Sequence, residues 1–259
     1  MNLWEKAMPY ADSKVDFTPT IEAYPAEGDG AVIIFPGGGY CNRAEHEGEP
    51  VAKMLNSYGI TAFVVQYRVY PYSNPSPLSD AMRAVRYVRA HAKDYKINKD
   101  KIAVMGFSAG GHLAGSVSVH YDKDVYAPTD AIDNESARPN ASILCYPVID
   151  MLNYRHDGSK CNLLGARPKY ADLEYMSLYK QITDDTPPAF LWHTSNDAVV
   201  PVENSLMYAN ALAAHNIQFE LHVFPQGPHG MGLAEDDVQV CQWTKALDIW
   251  LENLGWKNK

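Results

Sequence analysis

The chain has 259 residues, of which 46% are hydrophobic and 20% charged, and these proportions exclude a fibrous or largely disordered protein. The formal charge of −9 at pH 7 and the lack of a Lys/Arg-rich stripe argue against nucleic acid as a partner. A chain of this length can bury a sizeable core as one unit.

The N-terminal segment M-N-L-W-E-K-A-M-P-Y lacks the basic start and apolar core of a secretory signal, and no apolar run has membrane-spanning length. We therefore expect a cytoplasmic protein that does not engage a membrane. The cysteines are widely spaced without a C-x-x-C pair, so neither a metal site nor a disulfide framework is expected: Cys41, Cys145, Cys161 and Cys241. We expect no cofactor, and a homo-oligomer remains an open alternative.

Strand-like and helix-like patterns alternate along the chain. Short β-branched or aromatic runs predict strands at residues 31–35, 61–67, 101–107, 142–146, 189–194 and 219–224. Most of these runs are continuously apolar, which is typical of parallel strands buried on both faces. Helical patterns lie at residues 49–58, 78–93, 109–119, 202–215 and 239–253. This order predicts an α/β fold with a doubly wound, mostly parallel sheet and helices on both faces.

The helix predicted at 78–93 has the clearest amphipathic pattern, and it assigns three arginines to the solvent-facing side: Arg83, Arg86 and Arg89. The strand and helix rhythm is interrupted at 68–77 and at 120–188, and it resumes afterwards. We therefore expect a single domain, 1–259, in which 120–188 contains an insertion over the edge of the sheet that carries the candidate site described next.

A serine lies between glycines in the stretch V-M-G-F-S-A-G-G, directly after a predicted buried strand and before a predicted helix. A G-x-S-x-G sequence in this strand–turn–helix setting predicts a nucleophile elbow with Ser108 at its tip. Gly106 and Gly110 would remove Cβ atoms that collide with the neighbouring strand and helix. The alternative is a glycine-rich turn or a phosphate loop, but neither phosphate-binding glycine pattern is present.

A serine hydroxyl needs a base to take its proton, and the base needs an acid that orients it. The acid is predicted at Asp197 in T-S-N-D-A-V-V-P, just past the strand that ends at Thr194. Asp150 also follows a predicted strand and is the alternative acid. Both positions lie at the carboxyl edge of a parallel sheet, where such sites form.

The base is predicted at His229, in the glycine-flanked loop Q-G-P-H-G-M after the strand that ends at Phe224. His193 lies inside an apolar strand and is interpreted as a core histidine. His112 follows Ser108 by four residues on the same predicted helix, so it should point into packing. Three further histidines on or beside helices are expected to be solvated: His91, His120 and His215.

The third requirement is a set of donors for the oxyanion that forms during acyl transfer. Residues 35–40, F-P-G-G-G-Y, follow the first predicted strand, and consecutive glycines let backbone N–H groups approach a substrate oxygen. The N–H group of Ala109, next to the nucleophile, would be a further donor.

Together these segments resemble the α/β-hydrolase fold, and within it the esterase and lipase group with an H-G-G-G loop. The resemblance covers nearly the whole chain, and P-G-G-G-Y followed by E-G-E-P-V-A is similar to the small capless carbohydrate-esterase branch that includes acetyl-xylan esterases. It implies a catalytic triad of Ser108, Asp197 and His229, with an oxyanion hole formed by Gly38, Gly39 and Ala109. Pro36 stands where the lipase-like branch has histidine, which leaves open how the donors divide among Gly37, Gly38 and Gly39.

The expected function is that of a serine carboxylesterase acting on small esters, with an acetylated sugar or oligosaccharide as substrate. The alternatives are a peptidase of the prolyl-oligopeptidase type, a small amidase, and a catalytically inactive binding protein on the same fold. Polar and aromatic residues between Asp150 and Pro188 suit a hydroxyl-rich ligand, with an ordinary solvated surface insertion as the alternative: Tyr154, Arg155, His156, Asp157, Arg167, Tyr170, Tyr175 and Tyr179. The resemblance to the capless branch implies a short acyl group on a polar alcohol and not a long acyl chain.

Overall fold

Seven strands form one sheet in a computed structural model that describes residues 1–257. The sheet has the order β1-β3-β2-β4-β5-β6-β7, in which β1 is antiparallel to β3 and every other neighbouring pair is parallel. The strands are β1 (Thr20–Tyr24), β2 (Ala31–Phe35), β3 (Thr61–Gln66), β4 (Ile102–Phe107), β5 (Ala141–Cys145), β6 (Ala189–Thr194) and β7 (Phe219–Phe224).

Seven α-helices accompany the strands within the described residues. They are α1 (Glu49–Ser57), α2 (Ser76–Ala90), α3 (Ala109–His120), α4 (Asp157–Leu164), α5 (Tyr170–Tyr175), α6 (Glu203–Ala214) and α7 (Gln242–Asn253). Two separate buried apolar clusters lie on the two faces of the sheet, with alternate residues of β2 in each, as Ile33 and Ile34 show. This agrees with the predicted doubly wound architecture, since a strand covered on both faces has no polar side.

Two elements differ from the sequence-based expectation. The strand β1 was not among the predicted strands, because its sequence T-I-E-A-Y lacks the apolar continuity of the central strands. Only its Ile21 is fully buried. The helix α2 has almost no solvent-facing side, because Arg83 is fully buried and Arg89 nearly so. Arg83 is paired with Asp130 at 2.6 Å and Asp133 at 3.0 Å, so the arginine was wrongly assigned to the solvent face.

The stretch 120–188 contributes to the sheet as well as to its surroundings. It contains β5 near the centre of the sheet, followed by α4 and α5 beyond the carboxyl end of that strand. No helix in the part of the chain that the structure describes combines the length and apolar character needed to cross a bilayer.

Candidate active site

Ser108 occupies a tight turn between β4 and α3, with φ of 52° and ψ of −118°. This left-handed conformation is costly for a residue with a Cβ, and such strain is typical of a nucleophile elbow. The turn is fixed by hydrogen bonds from the Ser108 N–H to the Cys145 carbonyl at 3.0 Å and from the Val148 N–H to the Ser108 carbonyl at 3.0 Å.

The glycines of this turn permit close approach of the backbone, as the sequence predicted. A Cβ on Gly106 would lie 2.0 Å from the Gly110 carbonyl oxygen, and one on Gly110 would lie 2.0 Å from the Phe35 carbonyl oxygen. Neither position can hold a larger residue without moving α3 away from β2 and β4. The helix therefore begins directly against the end of β2, where the glycine loop starts.

Ser108, His229 and Asp197 lie in one hydrogen-bonded chain, although they come from loops after three different strands. The distance from Ser108 Oγ to His229 Nε2 is 2.8 Å, and that from His229 Nδ1 to Asp197 Oδ2 is 2.6 Å. A carboxylate can only accept, so Nδ1 carries the proton and Nε2 is the acceptor for the serine hydroxyl. This is the arrangement in which a histidine can take the proton of a serine nucleophile.

Asp197 is held as an anion by several donors. Burial opposes its ionisation, but hydrogen bonds from His193, His229 and the Val200 N–H outweigh burial and hold the pKa of Asp197 well below its usual range. Asp197 Oδ1 accepts the N–H groups of Val199 at 2.9 Å and Val200 at 3.0 Å, while His193 Nε2 lies 3.4 Å from Oδ2. The carboxylate can therefore stabilise positive charge on His229.

The alternative acid, Asp150, has a different set of contacts. It is fully buried, and its two oxygens accept the N–H groups of Leu152, Asn153 and Tyr154 and the hydroxyl of Ser177. These bonds shape the loop that follows β5. None of them involves a histidine, so Asp150 is not brought together with the serine and the base.

The glycine loop after β2 passes beside Ser108. A Cβ on Gly37 would lie 3.1 Å from the Ser108 Cβ, and the Gly37 N–H donates to Glu47 Oε2 at 2.6 Å. Gly38 and Gly39 have positive φ of 123° and 63°, and within residues 1–257 neither N–H group has a protein acceptor. The N–H of Ala109 opens α3, and the first N–H groups of a helix have no intrahelical acceptor. Gly38, Gly39 and Ala109 thus have N–H groups available for an oxyanion, whereas that of Gly37 is engaged.

Three other histidines, His193, His112 and His120, are buried away from the hydrogen-bonded chain at this site or support it. His193 is buried and bonded to Ser205 Oγ and the Val200 carbonyl, and His112 is buried between the Tyr40 hydroxyl and the Met176 carbonyl, as expected for both. His120 is fully buried, contrary to the prediction of a solvated residue, because Tyr175 of α5 stacks on it at 4.1 Å. The sequence of α3 cannot reveal which later segment covers its end.

Some residues at the site were missed by sequence reasoning. Glu47 and Tyr146 form a buried hydrogen bond of 2.7 Å beside the glycine loop, across a sequence separation of 99 residues. His156, noted only as one polar residue of its segment, lies with Cε1 3.7 Å from where a Gly39 Cβ would be. Burial and the proximity of His229 lower the pKa of His156, which favours its neutral form. Glu47 is the first residue of the motif E-G-E-P-V-A quoted above, but nothing in that motif specifies Tyr146 as its hydrogen-bond partner.

The other polar and aromatic residues noted between Asp150 and Pro188 are spread over a larger area. Tyr170 is 65% exposed, and Tyr154 is also exposed. Within residues 1–257, no group of three or more His, Cys, Asp or Glu side chains is arranged to hold a metal ion.

Comparison with known proteins gives relatives over most of the chain. It is 42% identical to endo-1,4-beta-xylanase B of Butyrivibrio fibrisolvens over 91% of this chain and 38% of that protein. It is 34% identical to acetylxylan esterase of Xylanibacter ruminicola over 87% of this chain and 44% of that protein. The chain therefore spans less than half the length of either relative.

A solved structure matches over the whole chain. It is the acetyl ester-xyloside bifunctional hydrolase from Caldicellulosiruptor lactoaceticus, with a TM-score of 0.96 and 46% sequence identity, covering 100% of this chain and 97% of that one. The BD-FAE family matches residues 23–212, which include β2 to β6 and both the glycine loop and the serine elbow. The chain belongs to the BD-FAE family and has the α/β-hydrolase fold, as the resemblance implied.

Proposed function

We propose that the protein is a serine carboxylesterase that removes acetyl groups from carbohydrate esters through an acyl-enzyme intermediate. The observation that carries the proposal is the hydrogen-bonded chain from Asp197 through His229 to Ser108, beside the free N–H groups of Gly38 and Gly39. The acetylxylan esterase of Xylanibacter ruminicola and the acetyl ester-xyloside hydrolase of Caldicellulosiruptor lactoaceticus support the choice of an acetyl ester.

In the first half-reaction Ser108 Oγ bonds to the ester carbonyl carbon while its proton passes to His229 Nε2. The carbonyl electron pair moves onto oxygen, where the N–H groups of Gly38, Gly39 and Ala109 stabilise the negative charge. The carbonyl then re-forms as the bond to the alkoxy oxygen breaks, and this oxygen takes the proton from His229 to leave as the sugar hydroxyl. Asp197 stabilises the imidazolium between these two transfers.

In the second half-reaction water takes the place of the alcohol. It gives a proton to His229 Nε2 as its oxygen bonds to the acetyl carbon, and the same donors stabilise the second oxyanion. Ser108 Oγ then leaves with the proton from His229, and acetate is released. The protein returns to its starting state without any group beyond its own residues and water.

The proposal concerns esters and not glycosides. A glycosidase generally uses two carboxyl groups that face the scissile bond. The carboxylate of Asp197 is bound by His229 and two backbone N–H groups, and that of Glu47 by Gly37 and Tyr146. Both are therefore engaged by protein donors. A cytoplasmic location and a single-domain organisation stay predictions from the sequence, and self-association stays an open alternative.

A series of 4-nitrophenyl esters tests the substrate class. We expect kcat/KM to fall steeply from acetate through butyrate to octanoate, because each misfitting methylene costs roughly 1 to 3 kcal/mol in a pocket that fits a short acyl group. Acetate release from acetylated xylo-oligosaccharides is measured in parallel, with Ser108→Ala as the background control. Octanoate hydrolysed as fast as acetate would replace this proposal with a lipase, and 4-nitroacetanilide cleaved as fast as the acetate ester would favour an amidase.

A further inference from the structure

Glu47 is a buried acidic residue beside the site that the proposed reaction does not use. It ends a short 3₁₀ turn, Glu45–Glu47, between the glycine loop and α1, and its side chain is 3% exposed. Burial raises the pKa of Glu47, while hydrogen bonds from Tyr146 and Gly37 act in the opposite direction. Burying a carboxyl group costs free energy unless its oxygens accept hydrogen bonds. The hydrogen-bond partners of Glu47 therefore indicate what the buried side chain does.

One oxygen of Glu47 fixes the glycine loop. Oε2 accepts the Gly37 N–H at 2.6 Å, immediately before the two glycines whose N–H groups are free. Because Gly37 passes so close to Ser108 that its Cβ would lie 3.1 Å from the serine Cβ, a shift of Gly37 would move the oxyanion donors relative to the nucleophile. Donor alignment of this kind matters chiefly in the transition state.

The other oxygen of Glu47 is connected to the loop that carries His229 through Tyr146. Oε1 accepts the Tyr146 hydroxyl at 2.7 Å, and the same hydroxyl oxygen accepts the Gly232 N–H at 2.8 Å. The Tyr146 ring contacts the His229 ring edge-on, with centroids 5.1 Å apart and planes at 69°. Tyr146 itself has a φ of 35°, a left-handed conformation that a non-glycine residue adopts only where its surroundings enforce it.

We propose that Glu47 is a positioning residue that holds the glycine loop and the histidine loop in register around Ser108, with Tyr146 as the link to His229. The inference rests on the proposed function, since it concerns the same site. Its basis is that one buried side chain bonds directly to the glycine loop and, through the Tyr146 hydroxyl, to the histidine loop, although the two loops lie far apart in the sequence. Loss of this link should lower the rate of acyl transfer more than the binding of substrate.

The test compares kcat and KM for 4-nitrophenyl acetate among five variants and the wild type. We expect Glu47→Ala to lower kcat by about 10- to 100-fold with KM within about threefold of the wild type. The reason is that displacing groups at a reacting centre by about 1 Å lowers the rate on this scale. Glu47→Gln should keep kcat within about fivefold of the wild type, since an amide oxygen can still accept the Gly37 N–H. The exposed neighbour in the same turn supplies the matched control, Glu45→Ala, which should leave both constants unchanged.

Tyr146→Phe keeps the ring against His229 and removes only the hydroxyl. We expect its kcat to fall by about 3- to 30-fold, and the double variant Glu47→Ala/Tyr146→Phe to be within about twofold of Glu47→Ala, because both changes break the same link. Thermal unfolding of each variant identifies any loss that comes from misfolding.

The inference is overturned if folded Glu47→Ala retains kcat within about threefold of the wild type. It is also overturned if Glu47→Gln is as impaired as Glu47→Ala, which would assign the effect to charge. Should Glu47→Ala fail to fold, unchanged kcat in Tyr146→Phe overturns it and a reduced kcat at constant KM supports it. A wild type that hydrolyses no ester contradicts the proposed function instead, so the two failures are distinguishable.

Discussion

Two aspartates follow neighbouring strands at the carboxyl edge of the sheet, and their surroundings give them different tasks. Asp197 is bonded to His229 and is held ionised by its donors, whereas Asp150 accepts three backbone N–H groups and a serine hydroxyl in the loop after β5. One carboxylate is placed to orient the proposed base, and the other fixes a loop.

We expect Asp197→Asn to lower kcat by on the order of 10³- to 10⁴-fold, because an amide does not hold the reactive tautomer of His229 or stabilise its cation. Asp150→Asn should lower the thermal midpoint and keep kcat within about tenfold once the folded fraction is taken into account. Steady-state kinetics with 4-nitrophenyl acetate and thermal unfolding measure both effects. The opposite ranking of the two folded variants would mean that the acid is Asp150.

At the same scale, the sequence was sufficient to propose Ser108, His229 and Asp197. The serine has a local motif, and the other two follow strands in the chain order of the fold, so no tertiary contact had to be known. Glu47 and Tyr146 could not be found in this way, because each is defined by a bond to the other. The environment of His120 was wrong for a similar reason, since its cover comes from α5.

At the scale of elements, the approach of α3 to β2 places Ser108 beside the glycine loop. A Cβ on Gly110 would lie 2.0 Å from the Phe35 carbonyl oxygen and 2.6 Å from that of Pro36. These are backbone atoms at the end of a central strand, so they cannot move aside as a flexible side chain could. The short distance between α3 and β2 therefore requires glycine at position 110.

Gly110→Ala should destabilise the protein by about 3 kcal/mol, as expected for an overpacked contact with backbone. Gly48→Ala is the matched control, because a Cβ there would have its nearest neighbours at 3.4 Å. Urea unfolding gives the free energy of unfolding for both variants. Equal losses of stability would show that the contact between α3 and β2 is not the limiting one.

The central elements and the edge strand β7 were predictable, whereas the edge strand β1 and the helix α4 were not. Continuous apolar runs predict β2 to β6 because those strands are covered on both faces, but β1 lies at the edge of the sheet and has a mixed sequence. The helix α4 has eight residues with Gly158 near its start, so it presents little periodicity to detect. For α2 the periodicity predicted a helix correctly, but it did not reveal that Asp130 and Asp133 pair with the buried Arg83.

For the molecule as a whole, two buried histidines on α3 link stability to pH. Burial lowers the pKa of His112 to about 4 and that of His120 to about 4. In the unfolded chain both would take up protons near pH 6.5, so between about pH 6.5 and 4 the unfolded state binds more protons than the folded state. Stability should therefore fall as the pH decreases through this window, by up to about 3 kcal/mol for each histidine.

His120→Phe should flatten this dependence, because phenylalanine keeps the stacking on Tyr175 and cannot be protonated. The free energy of unfolding is measured in urea at pH 7.5 and pH 5 for the variant and the wild type. The contributions of Asp197 and Glu47 are present in both proteins and cancel in the comparison. Parallel losses of stability in the two proteins would show that His120 does not contribute to the acid sensitivity.

The central claim is that Ser108 forms a covalent bond with the substrate, and covalent labelling tests it most directly. A fluorophosphonate reacts when the serine oxygen bonds to phosphorus and fluoride leaves, which requires the activated nucleophile of a serine hydrolase. Peptide mass mapping of the labelled wild type should find one adduct, on Ser108, that is absent from Ser108→Ala, and this variant should lose turnover by on the order of 10⁴- to 10⁶-fold. An adduct on another residue, or Ser108→Ala labelled as fast as the wild type, would contradict the account.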